Sequence, residues 1–146
     1  MHNPYKVIDK VLIYATRNEQ ILVFQEPDYA HIPLQIPGGT INDGEEPAMA
    51  AYREFHEETG ILRTSGIRFL ECLEYVYFGT ATAQVHRRHC FHLPLEGDFP
   101  AQWQHYEMFP ADEAKPILFN LFWLPFEQAQ VQLGLEMEKS ITKIGL

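Results

Sequence analysis

The alternation of apolar and polar residues divides most of this chain into short runs that are typical of β-strands. Residues 6–15 and 21–25 are rich in Val, Ile and Leu and flank a polar turn, so they predict a hairpin. Residues 67–78 and 85–95 predict a second hairpin across a turn of small residues. Both faces of the 67–78 strand are mostly apolar, which predicts a sheet covered on both sides. Shorter extended segments are predicted at residues 34–41, 103–109 and 118–124.

Helical periodicity is strong in one segment and weaker in another. Pro47 suits the first position of a helix and Gly60 suits the residue just past its end, so a helix is predicted over residues 47–59. A second helix is predicted from Pro125 into the region of Leu133, where strand-like alternation competes with it. The side of the first helix that is predicted to pack consists of Ala48, Ala51, Tyr52, Phe55 and Thr59.

Another side of the first helix carries three carboxylates. Glu54, Glu57 and Glu58 are spaced i, i+3 and i+4, so they lie within about one helical turn of each other. Like charges about 6 Å apart repel by roughly 2–3 kcal/mol per pair at an effective dielectric constant near 20. Arg53 offsets only part of this repulsion, and oxygen ligands are what a hard divalent cation prefers. The helix is therefore predicted to hold Mg²⁺, with Mn²⁺ as a substitute.

The stretch that begins at Gly39 and ends at Ile61, GTINDGEEPAMAAYREFHEETGI, resembles the Nudix box and is called the box below. The family pattern is G-x5-E-x7-R-E-U-x-E-E-x-G-U, in which U is bulky and apolar. Phe55 occupies a U position that is usually aliphatic. The resemblance implies an α+β protein with the Nudix fold, in which a mixed β-sheet lies between helices as an α/β/α sandwich. The fixed residues that match are Gly39, Glu45, Arg53, Glu54, Glu57, Glu58 and Gly60.

The resemblance also implies a set of metal ligands. Glu54, Glu57 and Glu58 are expected to bind the metal ion. The backbone around Gly38 and Gly39 is expected to add a carbonyl, since adjacent glycines allow a backbone to approach a ligand closely. Gly39, Glu45 and Gly60 are expected to keep the box in shape.

Catalytic roles follow from the same resemblance. Arg53 is expected to orient a box carboxylate through a salt bridge, and Glu45 is expected to support Arg53. Glu57 is the first choice for the carboxylate that activates water, and Glu107 is the alternative. Glu107 is predicted to lie in a loop before the last strand, where many Nudix proteins place an extra carboxylate. The acidic residues that compete with Glu107 for this role are Glu96 and Asp98.

Length, composition and charge agree with a small folded enzyme. The 146 residues predict one domain, residues 1–146, and the 46% apolar content excludes disorder. The net charge is −9, and the box holds six acidic residues and one arginine, so −5 of that charge is concentrated there. An acidic chain without a basic run is a poor binder of duplex nucleic acid. No apolar run approaches the ~20 residues of a membrane span, so a cytoplasmic protein without a membrane partner is predicted.

Cysteines and histidines can form a disulfide or a zinc site, but here the sequence favours free thiols and a polar strand face. Cys72 and Cys90 lie in apolar strands and are predicted to be buried free thiols. His86, Cys90 and His92 share one face of a predicted strand. Neighbours on one strand face are about 6.6–7 Å apart, which is too far for a tetrahedral zinc ion. This face is predicted to form a polar pocket wall.

Side chains outside the box are candidates for substrate binding. Arg87 and Arg88 are adjacent, so they point to opposite strand faces, and one of them is predicted to face the cleft and contact phosphate. Tyr77 is a candidate for stacking on a nucleobase, although aromatic strand residues are more often part of the core. Some diadenosine-polyphosphate-cleaving Nudix enzymes carry a tyrosine at about this distance past the box.

These features together predict a Mg²⁺-dependent pyrophosphohydrolase of the Nudix kind. Its expected substrate is a small nucleotide-type molecule, either a nucleoside diphosphate linked to another group or a nucleoside triphosphate. The alternative is a non-catalytic Nudix-fold module that senses a nucleotide or holds a partner. Such modules usually have lost box glutamates, and all of them are present here. A homodimer is considered alongside a monomer.

Overall fold

The computed structural model describes residues 5–79, 82–108 and 115–145. In these ranges the chain alternates strands with two α-helices and two short 3-10 helices. The strands are β1 (Lys6–Arg17), β2 (Gln20–Gln25), β3 (Gly38–Thr40), β4 (Arg68–Tyr77), β5 (Gln84–Pro94), β6 (Gln102–Glu107) and β7 (Ile117–Pro125). The α-helices are α1 (Pro47–Thr59) and α2 (Phe126–Gln132), and the 3-10 helices are Pro27–Tyr29 and Met137–Lys143.

The strands form one mixed sheet in the order β4-β5-β1-β2-β7-β6, with β3 paired to β1. β1 and β5 run parallel, and the other paired strands are antiparallel. One edge of β1 pairs with β5, so the other edge is shared by β2 and β3. β2 pairs with β1 at Thr16 and Arg17, and β3 pairs with it from Lys10 to Leu12. The glycines of β3 therefore enter the sheet where β2 has diverged from β1.

The predicted α/β/α sandwich is confirmed. On one face of the sheet, Val11 and Ile13 of β1 pack with Ala51 and Phe55 of α1. The opposite face packs against α2 and the second 3-10 helix. The apolar residues buried in that second layer include Leu12, Tyr14, Cys90, Ala129, Met137 and Ile141.

Both predicted hairpins are present, and the first has a shorter turn than predicted. β1 and β2 extend further than predicted and are joined by a tight turn at Asn18 and Glu19, whose φ angles are 50° and 62°. β4 and β5 form the second hairpin. The predicted turn over residues 79–84, and the part of the chain between the predicted extended segments 103–109 and 118–124, fall partly outside the described residues.

β4 departs from the prediction because it lies at an edge of the sheet. Both of its faces were expected to be covered, but on one face Phe69 and Val76 are 60% and 40% exposed. The prediction that both cysteines are buried is wrong for Cys72, which lies on this uncovered face, and is confirmed for Cys90. Both thiols are free. Helices of the described part of the chain are all too short or too polar to cross a membrane.

Candidate functional site

The box helix has the bounds that its end signals predict. Pro47 is the first residue of α1, and Gly60 follows its last residue in the left-handed conformation, with φ of 82°. The Gly60 N–H donates to the carbonyl of His56 and closes the last turn. Ala51 and Phe55 are fully buried against the sheet, as is Ala50, which was not among the residues predicted to pack. The sheet therefore fixes the orientation of the acidic side of the helix.

The three box carboxylates lie in different environments. Glu54 and Glu58 are each only 7% exposed, whereas the side chain of Glu57 is 44% exposed. Burial, partly offset by Arg53, raises the pKa of Glu54 to about 7. Burial and the nearby charges of Glu107 and Glu54 raise the pKa of Glu58 well above its usual range. The protein thus holds two carboxylates where a negative charge is disfavoured unless a cation joins them.

A fourth carboxylate completes a candidate metal centre. Carboxylate oxygens of Glu54, Glu57 and Glu107 all lie within 4.8 Å of one another. Glu107 was predicted to lie in a loop, and this is wrong, because it is the last residue of β6. Glu96 and Asp98 are exposed and are not part of this group. Three hard oxygen donors at this separation are a suitable ligand set for Mg²⁺ or Mn²⁺.

The glycines of β3 form the floor of this cluster. The Gly38 N–H donates to Glu58 Oε1 over 2.7 Å, which holds Glu58 beside the three-carboxylate group. A Cβ atom added to Gly39 would overlap the carboxylate of Glu54. Glycine at position 39 is therefore what allows β3 and Glu54 to lie in contact.

Arg53 connects the loop that precedes the helix to the carboxylates on it. Its Nε and Nη2 atoms bind the two oxygens of Glu45 at 2.8 and 2.9 Å, a bidentate pair. Nη1 lies 2.9 Å from Glu54 Oε1 and 3.3 Å from Glu57 Oε2. Nη2 also donates to the carbonyl of Thr40 in β3. One guanidinium thus binds the loop that precedes α1, strand β3 and α1 itself.

The two candidate phosphate-binding arginines lie on opposite faces of β5. Arg88 shares a face with Cys90, away from α1, and is 6% exposed. It donates to the carbonyl of Leu135 and lies 3.9 Å above the ring of Tyr75. Arg87 is 46% exposed and lies 3.5 Å from Asp9. Arg88 is therefore engaged in holding the C-terminal segment, and Arg87 is the freer of the two.

The aromatic and histidine candidates contact one another along the β4–β5 hairpin. Tyr77 stacks on His86 with ring centroids 4.9 Å apart. His92 lies 2.7 Å from both Thr16 Oγ1 and Arg68 Nη2. Because Arg68 can only donate, His92 Nδ1 accepts, and Nε2 donates to Thr16. These histidines are satisfied by protein partners, and the residues described contain no group of zinc-ligand geometry on this strand.

Glu26 is an acidic neighbour of the site that the sequence did not indicate. It follows β2 directly, and its charge contributes to the raised pKa values of Glu58 and Glu107. Burial also raises the pKa of Glu26 itself. No spacing in the sequence links it to the box, since only the sheet brings the end of β2 close to α1.

Comparison with known proteins gives a family and a set of similar structures. The model of the NUDIX domain matches residues 6–143 of this chain. The MutT protein of Methanosarcina mazei Go1 is 16% identical, with a TM-score of 0.68 over 97% of this chain and 94% of that chain. The dihydroneopterin triphosphate pyrophosphohydrolase of Escherichia coli is 20% identical, with a TM-score of 0.63 over 97% of both chains. The Ap4A hydrolase of Caenorhabditis elegans is 19% identical, with a TM-score of 0.59 over 94% of this chain and 95% of that chain. A search of curated protein sequences found no significant match.

Proposed function

Because the chain belongs to the Nudix family and is a hydrolase of phosphoric anhydride bonds, we propose that it cleaves a small nucleotide-type substrate with Mg²⁺, for which Mn²⁺ substitutes. The substrate class is a nucleoside diphosphate linked to another group, or a nucleoside triphosphate. The observation that carries the proposal is the cluster of Glu54, Glu57 and Glu107, whose oxygens lie within 4.8 Å of one another. Carboxylates brought this close need a cation to stay charged together.

The residues around the cluster fit a hard divalent cation. Glu54, Glu57 and Glu107 supply oxygen donors. Glu58 is a candidate for a further oxygen donor, since the Gly38 N–H binds its Oε1 atom and holds its carboxylate beside them. The backbone of β3 at Gly39 lies in contact with the carboxylate of Glu54, and a carbonyl ligand from this strand remains a prediction. A bound Mg²⁺ would neutralise charge on the pyrophosphate oxygens and help to position the attacking water.

The remaining chemistry belongs to side chains of this chain. Water attacks a phosphorus atom, the bridging P–O bond breaks, and a phosphate-bearing group leaves. A carboxylate accepts the proton of the water, and Glu57 is our first choice because its side chain is half exposed and lies 3.3 Å from Arg53, whereas Glu54 is buried and lies 2.9 Å from it. Arg53 keeps Glu54 and Glu57 oriented, and Glu45 holds Arg53 in place. Glu107 is the alternative base.

Candidate substrate contacts lie on both sides of β5. Arg87 is half exposed and is the candidate for a phosphate contact, whereas Arg88 is occupied by Leu135. Tyr77 remains a candidate for nucleobase stacking, and one face of its ring is stacked on His86. Two similar structures are named for the hydrolysis of Ap4A and of dihydroneopterin triphosphate, so both compounds belong in the first substrate panel.

The test is a panel of nucleoside triphosphates, dihydroneopterin triphosphate, dinucleoside polyphosphates such as Ap4A, ADP-ribose and nucleotide sugars, incubated with Mg²⁺ or with chelator. We expect release of phosphate or nucleotide from at least one compound with Mg²⁺ and none with chelator. Glu57→Gln should lose this release, and Glu46→Gln, at the exposed start of α1, should keep it. Binding of a panel compound without turnover would contradict the proposal and favour a nucleotide-sensing module.

A further inference from the structure

Two side chains of β6 reach the C-terminal end of the box helix. Trp103 Nε1 donates to the carbonyl of Thr59 over 2.9 Å, and His105 Nε2 lies 2.9 Å from the carbonyl of Glu57. Because a carbonyl oxygen only accepts, His105 carries its proton on Nε2 and donates it. Carbonyls in the last turn of a helix have no partner within the helix. β6 therefore binds α1 through two backbone groups that the helix leaves free.

The spacing along β6 places these two residues and Glu107 on one face. Trp103, His105 and Glu107 occupy alternate positions and are partly buried, whereas Gln104 and Tyr106 between them are exposed. The end of α1 is shaped for this contact. A Cβ atom at Gly60 would lie 3.2 Å from His105 Nδ1, so glycine leaves the room that the imidazole fills.

Glu107 needs such support because its surroundings repel it. It is the last residue of β6, and its pairing with Ile117 is the end of the β6–β7 ladder. Its carboxylate lies within 4.8 Å of those of Glu54 and Glu57, so like charges repel it. A strand end that carries a charge into an acidic cluster tends to move away unless other contacts hold it.

We infer that Trp103 and His105 are positioning residues that dock β6 onto the end of α1 and thereby hold Glu107 in the metal cluster. The inference deepens the proposed function and rests on it for the identity of the cation. The position of Glu107 then depends on the contact between β6 and the C-terminal end of α1. The box helix and the strand that supplies Glu107 then move as one unit.

The test measures Mn²⁺ affinity directly, on the full chain, by electron paramagnetic resonance of free Mn²⁺. His105→Leu removes the donor at similar volume, and His105→Gln keeps an N–H close to the position of Nε2. Gln104→Leu, on the exposed face of the same strand, is the matched control. We expect His105→Leu to weaken Mn²⁺ binding by about five- to tenfold, corresponding to about 1–1.4 kcal/mol, and the other two variants to stay within about twofold of wild type.

A double-mutant cycle separates positioning from a general loss of structure. If His105 acts through Glu107, then His105→Leu should weaken Mn²⁺ binding no further in a Glu107→Gln background. Full additivity of the two substitutions would overturn the inference, as would wild-type affinity in His105→Leu. Trp103→Phe, which keeps a ring but loses the donor, repeats the test at the second contact if His105→Leu does not fold.

Hydrolysis measured on the same samples separates this inference from the proposed function. If no panel compound is cleaved but the coupling between His105 and Glu107 holds, the positioning role stands and the proposed function fails. If a compound is cleaved but the coupling is absent, the function stands and the positioning role fails. For a cleaved compound, His105→Leu should lower kcat more than it raises KM, and His105→Gln should restore kcat.

Discussion

Divalent cations should stabilise this protein through the cluster of Glu54, Glu57 and Glu107. Without a cation, the folded state holds these carboxylates together, and unfolding releases them from their mutual repulsion. A cation that binds only the folded state removes that advantage of the unfolded chain. Glu57→Gln removes one of these charges with the buried packing of α1 left in place, because the Glu57 side chain is half exposed.

The separation of the oxygens sets the size of the effect. Two full charges 4.8 Å apart repel by about 3.5 kcal/mol at an effective dielectric constant near 20. Arg53 and the water around Glu57 reduce this value. For a site that is half filled at about 1 mM Mg²⁺, about 10 mM Mg²⁺ stabilises the folded state by about 1.4 kcal/mol. In a chain of this size that corresponds to a rise in Tm of roughly 3–6 °C.

Thermal melts with Mg²⁺ and with chelator measure this rise. Wild type and Glu46→Gln should both show it, since Glu46 is exposed at the start of α1 and makes no side-chain cap bond. Glu57→Gln should show less than about a third of it and should melt slightly higher than wild type in chelator, since one repulsive charge is gone. Equal rises in the two variants, or no rise in wild type, would refute a metal centre built on Glu57.

Three further predictions concern single side chains. Glu58→Gln should lower kcat by at least about a hundredfold on the best substrate, because one electrostatic contact to a transition state is often worth 10²–10³ in rate. The control, Glu46→Gln, should change kcat less than about threefold. Equal kcat values in the two variants would show that Glu58 does not act at the site. Arg87→Ala should lower kcat/KM with little change in Tm, whereas Arg88→Ala should lower Tm, because it removes a buried contact to the C-terminal segment; unchanged kinetics in Arg87→Ala would make that residue a surface charge. Burial and Arg68 lower the pKa of His92 to about 4. Between about pH 6.5 and 4 the unfolded chain therefore binds more protons at His92 than the folded chain does. The stability that neutral His92 contributes is lost as the pH falls through this window. In urea unfolding between about pH 6.5 and 4, the free energy of unfolding of wild type should fall by up to about 1.4 kcal/mol per pH unit more than that of His92→Gln. Parallel pH profiles of the two proteins would contradict the lowered pKa.

Local signals in the sequence were enough to predict the box helix and the hairpins. Pro47 and Gly60 act on the backbone within a residue or two of themselves, so the bounds of α1 agree with the prediction. The spacing of Glu54, Glu57 and Glu58 likewise depends only on helical geometry. Turns are local as well, which explains why the β1–β2 and β4–β5 hairpins were predicted.

Contacts between distant segments decided the rest. The edge position of β4 left Cys72 exposed although its own strand is apolar, because burial depends on which element packs above a face. Alternation predicted that Arg87 and Arg88 point apart, but only the packed layers show that Arg88 lies beneath the C-terminal segment. These outcomes depend on strand order, which no single run of residues encodes.

The candidate metal centre divides in the same way. The sequence by itself determined three carboxylates on one helix and a glycine pair before it, since both follow from local spacing. Only the tertiary structure decided that Glu107 joins them from a strand end, that Glu26 lies close by, and that Glu54 and Glu58 are buried while Glu57 is not. The physical reason is that spacing along a helix sets which side chains are neighbours, whereas burial and long-range charge depend on the elements that the sheet brings around them.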